Sequence, residues 1–208
     1  PPSLPDPPVD RIPRQLVLAS GSPRRRDLLS AMGIAFEVIP ADIPEIPREG
    51  EAPESMALRF AKEKARAVAS RSPGEPGRWI LAADTIVVLG DQVLGKPKSP
   101  EHAVELLTAL VGQTHQVITA VTVTDSTGRA EFSTAVTSQV VMRPAPREEL
   151  EAYVATGESL DKAGAYALQG EGRRFVVAVE GSETNVIGLP VEETLLLLKS
   201  AARSEPSA

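Results

Sequence analysis

The sequence contains no cysteine and only two histidines among its 208 residues. The absence of cysteine excludes disulfides and thiolate metal sites, and two histidines argue against a multi-histidine zinc site. Aromatic residues make up only 3% of the chain, so platforms on which nucleic-acid bases could stack are few. We therefore expect neither thiol chemistry nor a histidine-rich metal centre.

The chain also lacks an apolar run of 18 residues and a signal-peptide pattern. These two absences predict a cytoplasmic protein without a membrane partner. The net charge of −6 and the isoelectric point near 5.1 argue against a general nucleic-acid binder. Local basic clusters therefore carry more functional information than the total charge does.

The length and the proline distribution predict a single large domain with two tails. A chain of 208 residues can bury about 70% of its unfolded surface, which is enough to form a core that needs no disulfides. Residues 1–14 hold six of the 19 prolines and few apolar residues, which is typical of a disordered or extended tail. We predict this tail over 1–14, one domain over 15–199 and a C-terminal tail over 200–208.

The order of elements predicts an α/β fold. A strand over Leu16–Ala19, a helix from Pro23 and a second strand over Phe36–Ile39 form the pattern of a parallel crossover. The remaining predicted elements are a helix over 54–71, a buried strand over 79–89 that turns at 90–91 into a short strand over 92–94, a helix over 99–112, a hairpin over 115–124 and 129–142, a helix over 146–156, a loop with a short helix over 158–172, a strand over 175–179, a loop over 181–190 and a helix over 191–199.

The start of the first helix is unusually basic. Ser22 suits the N-cap and Pro23 the first helical position, yet Arg24, Arg25 and Arg26 fill the first turn. Cations there oppose the helix dipole, whereas the free backbone N–H groups attract anions. A solvated basic turn would explain the arginines, but a phosphate-type site between them explains their position better.

Charged residues also interrupt two apolar patterns. Asp84 lies inside the buried strand and Lys64 lies in the apolar face of the 54–71 helix. Asp84 is either half of a structural ion pair or a functional carboxylate that binds metal or acts as a general base. Lys64 either extends its ammonium to solvent or lies beside a buried anion. Asp42 and Glu45 follow a strand end, where acidic side chains are either solvated or ligands of a metal or water.

Four segments together resemble the Maf family of nucleoside triphosphate pyrophosphatases. They are Ala19-Ser-Gly-Ser-Pro-Arg-Arg25, Ala83-Asp-Thr85, Gly95-Lys-Pro97, and Asp161-Lys-Ala-Gly-Ala-Tyr166 followed by Gln169. The segments at 58–64 and 185–190 are similar to the family as well. The resemblance extends over residues 15–199, and it is the combination and order of the motifs that make it specific.

The resemblance implies a mixed central sheet flanked by helices, with two lobes around a cleft, as in the inosine triphosphate pyrophosphatases. It also implies a homodimer that hydrolyses nucleoside triphosphates to the monophosphate and pyrophosphate with a divalent metal, Mg²⁺ or Mn²⁺. Asp84 would accept a proton, and Asp84 and Glu45 would hold the metal. By resemblance, Arg24, Thr85 and Gln169 match the family's substrate-specificity positions. The further predicted substrate-binding residues are Ser20, Arg25, Lys64, Lys96 and Lys162, and the cations among them would balance the charge of a triphosphate.

The segment around Gln169 is similar to the family branch that prefers dTTP and UTP, although Ala167 stands where that branch usually has glycine. A different class of function also fits the resemblance, because some family members are linked with septum formation. The alternative is a nucleotide-binding regulator of cell division that needs no turnover. A buried base such as Asp84 favours the enzyme, since a pure binder does not require one.

Overall fold

The computed structural model describes residues 12–71 and 75–205. Most of the predicted N-terminal tail therefore lies outside the described residues, as do 206–208 of the predicted C-terminal tail. The strands are β1 (Gln15–Leu18), β2 (Glu37–Val38), β3 (Arg78–Leu89), β4 (Gln92–Leu94), β5 (Thr114–Asp125), β6 (Glu131–Met142) and β7 (Val176–Glu180). The helices are α1 (Pro23–Ala31), α2 (Pro53–Ala69), α3 (Pro100–Leu110), α4 (Arg147–Ala155), α5 (Glu183–Ile187) and α6 (Val191–Ser204).

Within the described residues, the strands form one mixed sheet in the order β2-β1-β3-β5-β6-β7, with β4 paired to β3. The pairs β1–β2 and β1–β3 are parallel, while the pairs from β3 through β5 and β6 to β7 are antiparallel. The predicted parallel crossover through α1 and the mixed α/β class are therefore confirmed. None of the helices described is both long enough and apolar enough to cross a bilayer.

Strand β3 is buried on both faces, as its apolar run predicts. Alternate residues from Ile80 to Val88 pack with side chains of α2 on one face. Those from Trp79 to Val87 pack on the opposite face with side chains of α1, α3 and α6. Because strand side chains alternate, Asp84 belongs to the α2 face and Thr85 to the other face.

The edge of β3 that faces β1 is only partly paired. Strand β1 pairs with β3 as far as Leu81, and β4 pairs with β3 from Val87 onward. Among the described residues, positions 82–86 therefore have a neighbouring strand, β5, on one edge only. Asp84 is the central residue of this gap.

Two predictions near the C-terminus were wrong. The predicted loop over 181–190 contains the helix α5, which begins after Ser182, whose Oγ accepts a hydrogen bond from Asn185 N at 3.1 Å. Five residues are too few for apolar periodicity to reveal a helix. Helix α6 continues to Ser204 because Leu198 and Ala201 are both buried in the core, so the predicted tail from residue 200 is helical for its first five residues.

Candidate active site

The gap in the sheet opens into a cleft of about 410 Å³, a volume that suits a small-molecule ligand. Most of the predicted site residues lie together in its lining, although they come from distant parts of the sequence. The predicted site residues that line the cleft are Ser20, Arg24, Arg25, Glu45, Lys64, Asp84, Thr85, Lys96 and Lys162. Gln169 is absent from the lining of this cleft and is exposed.

Asp84 lies at the base of the cleft and is only 4% exposed. Its Oδ1 accepts a hydrogen bond from Lys64 Nζ at 2.7 Å. Its Oδ2 is buried and has no hydrogen-bond partner among the described residues. A buried carboxylate oxygen without a partner is costly, so a ligand or water at this position would satisfy it.

Lys64 connects two carboxylates. Its ammonium lies 2.7 Å from Asp84 Oδ1 and 2.8 Å from Glu45 Oε1, and its side chain is only 12% exposed. Partial burial acts to raise the pKa of Glu45, but the hydrogen bond and the charge of Lys64 lower that pKa below its ordinary value. Lys64 therefore does not extend to solvent; it is ion-paired and still lines the cleft.

Arg25 is held by neutral groups. Its Nε donates to Gly188 O at 2.8 Å, its Nη1 to Ser20 Oγ at 3.3 Å and its Nη2 to Thr85 Oγ1 at 3.0 Å. Burial lowers the pKa of the Arg25 guanidinium. A partly buried cation whose direct partners are uncharged is suited to an anionic ligand, because the remaining N–H groups can bind phosphate oxygens.

The start of α1 contributes to the same wall of the cleft. Ser22 occupies the N-cap position and Pro23 the first turn, as predicted, but the Ser22 side chain makes no capping hydrogen bond. The amides of the first turn therefore lack the usual side-chain acceptor. This arrangement is consistent with the predicted phosphate site beside Arg24 and Arg25.

The cleft carries interspersed charges rather than one sign. Five basic and four acidic side chains line it, so it suits a polyanion that is bound together with a cation. Lys162 is already paired, because its Nζ lies 2.7 Å from Asp161 Oδ1 and also donates to Glu158 O. Among the described residues, no three His, Asp or Glu side chains cluster closely enough to form a metal site by themselves.

The carboxylates of Asp84 and Glu45 nevertheless fit a divalent metal that is shared with a substrate. Both contact the Lys64 ammonium, so the two carboxylates lie close together in the cleft. Mg²⁺ is usually bound through one or two carboxylates, several waters and substrate phosphates. Two converging carboxylates without histidine match this donor set.

Gln169 lies on a turn that borders the cleft. Tyr166, Ala167 and Leu168 line the cleft, and the chain then leaves it. Glu158 fixes the turn, because its carboxylate accepts hydrogen bonds from the backbone N–H groups of residues 171 and 172. The predicted role of Gln169 in base selection stays a prediction.

Two buried polar residues next to the cleft were missed by the sequence analysis. Thr119 bonds to Thr85 Oγ1 at 2.8 Å, and His115 Nε2 lies 2.7 Å from Tyr166 Oη. Both belong to β5, where β-branched residues indicate a strand but give no information on its register. Only the pairing of β5 with β3 places Thr119 opposite Thr85.

The fold and the cleft together define an α/β protein whose cleft is lined by charges of both signs. The chain belongs to the Maf family, whose sequence profile, described as Maf-like protein, matches residues 15–201. It is 50% identical over 191 residues to a Myxococcus xanthus (strain DK1622) protein named "dTTP/UTP pyrophosphatase", with 92% of this chain and 94% of that protein covered.

A further relative supports the family, and a solved structure supports the fold. A Geobacter sulfurreducens protein of the same name is 47% identical over 181 residues, covering 87% of this chain and 93% of its own length. Among solved structures, a HAM1 protein from Coxiella burnetii aligns with a TM-score of 0.51 and 17% identity, covering 90% of this chain and 97% of the other. This structural likeness concerns the fold alone.

Proposed function

We propose that this protein hydrolyses dTTP and UTP to the nucleoside monophosphate and pyrophosphate. The observation that carries the proposal is the buried Asp84 carboxylate, with one oxygen bound to Lys64 and the other without a partner, at the base of a cation-lined cleft. The names of the Myxococcus and Geobacter relatives supply the substrate class. The preference for thymine and uracil follows from these relatives and from the motif around Gln169.

In the proposed mechanism Asp84 is the general base. Asp84 Oδ2 is free to accept the proton of a water molecule, while the bond from Lys64 to Oδ1 fixes the orientation of the carboxylate. The water attacks the α-phosphorus, the bond to the bridging oxygen breaks and pyrophosphate leaves. Correct positioning of the base lowers the barrier because the reacting groups no longer have to be brought together from solution.

The cations of the cleft position the triphosphate and balance its charge. Arg25 donates three of its N–H groups to the protein and has others left for phosphate oxygens. Arg24, Lys96 and Lys162 also line the cleft. Asp84 and Glu45 would hold Mg²⁺ or Mn²⁺. Such an ion supplies positive charge that stabilises the phosphate oxygens during hydrolysis.

We also expect the protein to form a homodimer and to be located in the cytoplasm. Light scattering of the purified protein during size-exclusion chromatography would measure the oligomeric state. A mass of twice 22.0 kDa is expected.

The test of the proposed function is a panel of nucleoside triphosphates with Mg²⁺ or Mn²⁺, with products separated by chromatography. We expect dTMP and pyrophosphate from dTTP, and UMP and pyrophosphate from UTP, with much slower turnover of CTP, ATP and GTP. Release of dTDP and orthophosphate would contradict the proposed reaction. Tight binding of dTTP without turnover would instead support the non-catalytic regulator.

A further inference from the structure

Thr119 lies behind the cleft and is hydrogen-bonded to Thr85, a residue of the cleft lining. It is 0% exposed, it belongs to β5, and it is the residue of that strand that pairs directly with Thr85 of β3. Among the described residues Thr119 does not line the cleft, whereas Thr85 does. Any effect of Thr119 on a ligand must therefore pass through its neighbours.

The hydrogen bonds of Thr119 determine which hydroxyl group is the donor in its contact with Thr85. Thr119 Oγ1 donates its only hydrogen to Asn185 O at 2.9 Å. In the 2.8 Å contact between Thr85 Oγ1 and Thr119 Oγ1, Thr85 must therefore be the donor. The Asn185 carbonyl that accepts this hydrogen is itself held in place, because Asn185 is buried and its Nδ2 donates to Val117 O and Ser138 Oγ.

The hydroxyl hydrogen of Thr85 is consequently committed to Thr119. Thr85 Oγ1 also accepts a hydrogen bond from Arg25 Nη2 at 3.0 Å, which occupies one of its two lone pairs. One lone pair is left, on a residue that lines the cleft. Toward a ligand, Thr85 is thus an acceptor and not a donor.

Space for a ligand group beside this acceptor is provided by Gly188. A Cβ atom on Gly188 would lie 3.7 Å from both Thr85 Oγ1 and Arg25 Nε, so the missing side chain leaves the approach to both atoms open. The backbone φ of +132° at Gly188 also favours glycine. The acceptor at Thr85 is therefore open to a ligand on the side of Gly188.

We propose that Thr119 is a positioning residue for base selection, because it forces Thr85 to present only an acceptor to the substrate. This inference rests on the proposed function. Uracil and thymine carry an N3–H donor that such an acceptor can bind. Cytosine has an acceptor at N3 instead, and two facing acceptors without a hydrogen between them repel each other.

The test compares hydroxyl-deletion variants of two threonines on the same strand. Thr119→Val keeps the shape of the side chain but releases the Thr85 hydroxyl, which can then rotate and donate to N3 of cytosine. Thr122→Val is the matched control, because Thr122 is also 0% exposed and bonds across strands to Ser133 Oγ at 2.8 Å. Thr119→Ser retains the hydroxyl and should retain the selectivity.

The quantity measured is the ratio of kcat/KM for UTP to kcat/KM for CTP. We expect Thr119→Val to lower this ratio about tenfold, the value of roughly one hydrogen bond, while Thr122→Val and Thr119→Ser leave it unchanged. Thr119→Ala serves the same purpose if valine is not accommodated. An unchanged ratio in a folded variant without the Thr119 hydroxyl would overturn the inference.

A double variant shows whether Thr119 acts through Thr85. Thr85→Val removes the acceptor itself, so adding Thr119→Val should not lower the ratio further. An additional loss of the same size in the Thr85→Val background would contradict the proposed route. These outcomes differ from a failure of the proposed function, in which the wild-type protein would not release pyrophosphate from dTTP or UTP at all.

Discussion

The two oxygens of Asp84 have different surroundings, and the proposed mechanism rests on this difference. Oδ1 is held by Lys64, whereas Oδ2 is buried without a partner among the described residues. An ion pair and a catalytic role were alternatives at the level of the sequence. The geometry allows both at once, since each role uses a different oxygen of the same carboxylate.

Asp84→Asn tests the role of this carboxylate directly. The amide keeps the size of the side chain but cannot accept a proton from water, so kcat should fall by about 10²–10⁴-fold. KM should stay unchanged or decrease, because a negative charge facing the phosphates is removed. Steady-state kinetics with dTTP measures both constants, and a kcat within a few-fold of wild type would show that Asp84 is structural.

Lys64→Met tests the bridging ammonium. Activity should fall, and the free energy of unfolding should decrease by about 3 kcal/mol, because the buried Asp84 carboxylate loses its only direct charged partner among the described contacts. The apolar stripe alone would predict unchanged stability. Urea unfolding of the wild type and of Lys64→Met measures this change in the free energy of unfolding.

Lys62→Met on the same helix is the matched control for Lys64→Met. Lys62 lies 3.7 Å from Glu131 Oε1, and its side chain is 38% exposed. Exposed ion pairs of this kind contribute about 0–1 kcal/mol, so both stability and activity should change little. Equal losses of stability in the two variants would contradict the role given to the Lys64–Asp84 pair.

At the scale of elements, turn residues made the hairpins predictable. The turn at Gly90-Asp91 between β3 and β4 follows the sequence prediction, as does the turn between β5 and β6. Helix α5 was missed, because a helix of five residues is set by its Ser182 cap and by tertiary contacts rather than by a repeating apolar pattern. The turn that carries Gln169 was recognised from its glycines, but its contacts with Glu158 were not predictable.

Gly170→Ala tests how closely that turn is packed. Gly170 has a φ of +91°, and an added Cβ would collide with Glu158 Oε1. The free energy of unfolding should decrease by more than the roughly 1–3 kcal/mol that this backbone region, almost exclusive to glycine, costs an L-residue, since Glu158 must also move away from the amides it binds. The turn bordering the cleft should become more sensitive to limited proteolysis.

Gly128→Ala provides the comparison for Gly170→Ala. Gly128 also has a positive φ, of +70°, but a Cβ there would meet no atom within 4 Å. This variant should therefore show the backbone cost alone, without loss of activity. If the two variants were equally stable, the contact between Gly170 and Glu158 would have no energetic importance.

At the scale of the whole molecule, stability should depend on pH through His115. Burial lowers the pKa of His115 to about 4, whereas an unfolded histidine titrates near pH 6.5. The folded state therefore binds fewer protons between these values. The contribution of His115 is complete above pH 6.5 and is lost as the pH falls toward 4, by about 3 kcal/mol in total.

Urea unfolding of wild type and His115→Gln at several pH values isolates this contribution from that of the carboxylates. Glutamine can still hydrogen-bond to Tyr166 Oη but does not titrate. The difference in unfolding free energy between the two proteins should shrink by about 3 kcal/mol from pH 7 to pH 4. His102→Gln, at the other histidine, is the control; a constant difference for His115→Gln would contradict the prediction.

Much of the site was predictable because its residues break local rules. Arginines at a helix start, an aspartate in an apolar strand and a lysine in an apolar helix face each conflict with their surroundings in the sequence itself. Thr119 breaks no such rule, since a buried threonine is ordinary in a strand. Its position opposite Thr85 depends on the register of β5 against β3. That register brings together two threonines that are 34 positions apart in the sequence.

The stretch of β3 that lacks a neighbouring strand on one edge also limits the size of the cleft. The length of the opening is set by where β1 stops pairing at Leu81 and where β4 begins at Val87. Strand β4 is an edge strand and β1 has only the two-residue β2 beyond it, so lengthening either one would narrow the opening while the β3–β5 core beneath it stays intact. The size of ligand that the cleft admits is therefore adjustable at the ends of two short strands, independently of the side chains of Asp84 and Lys64.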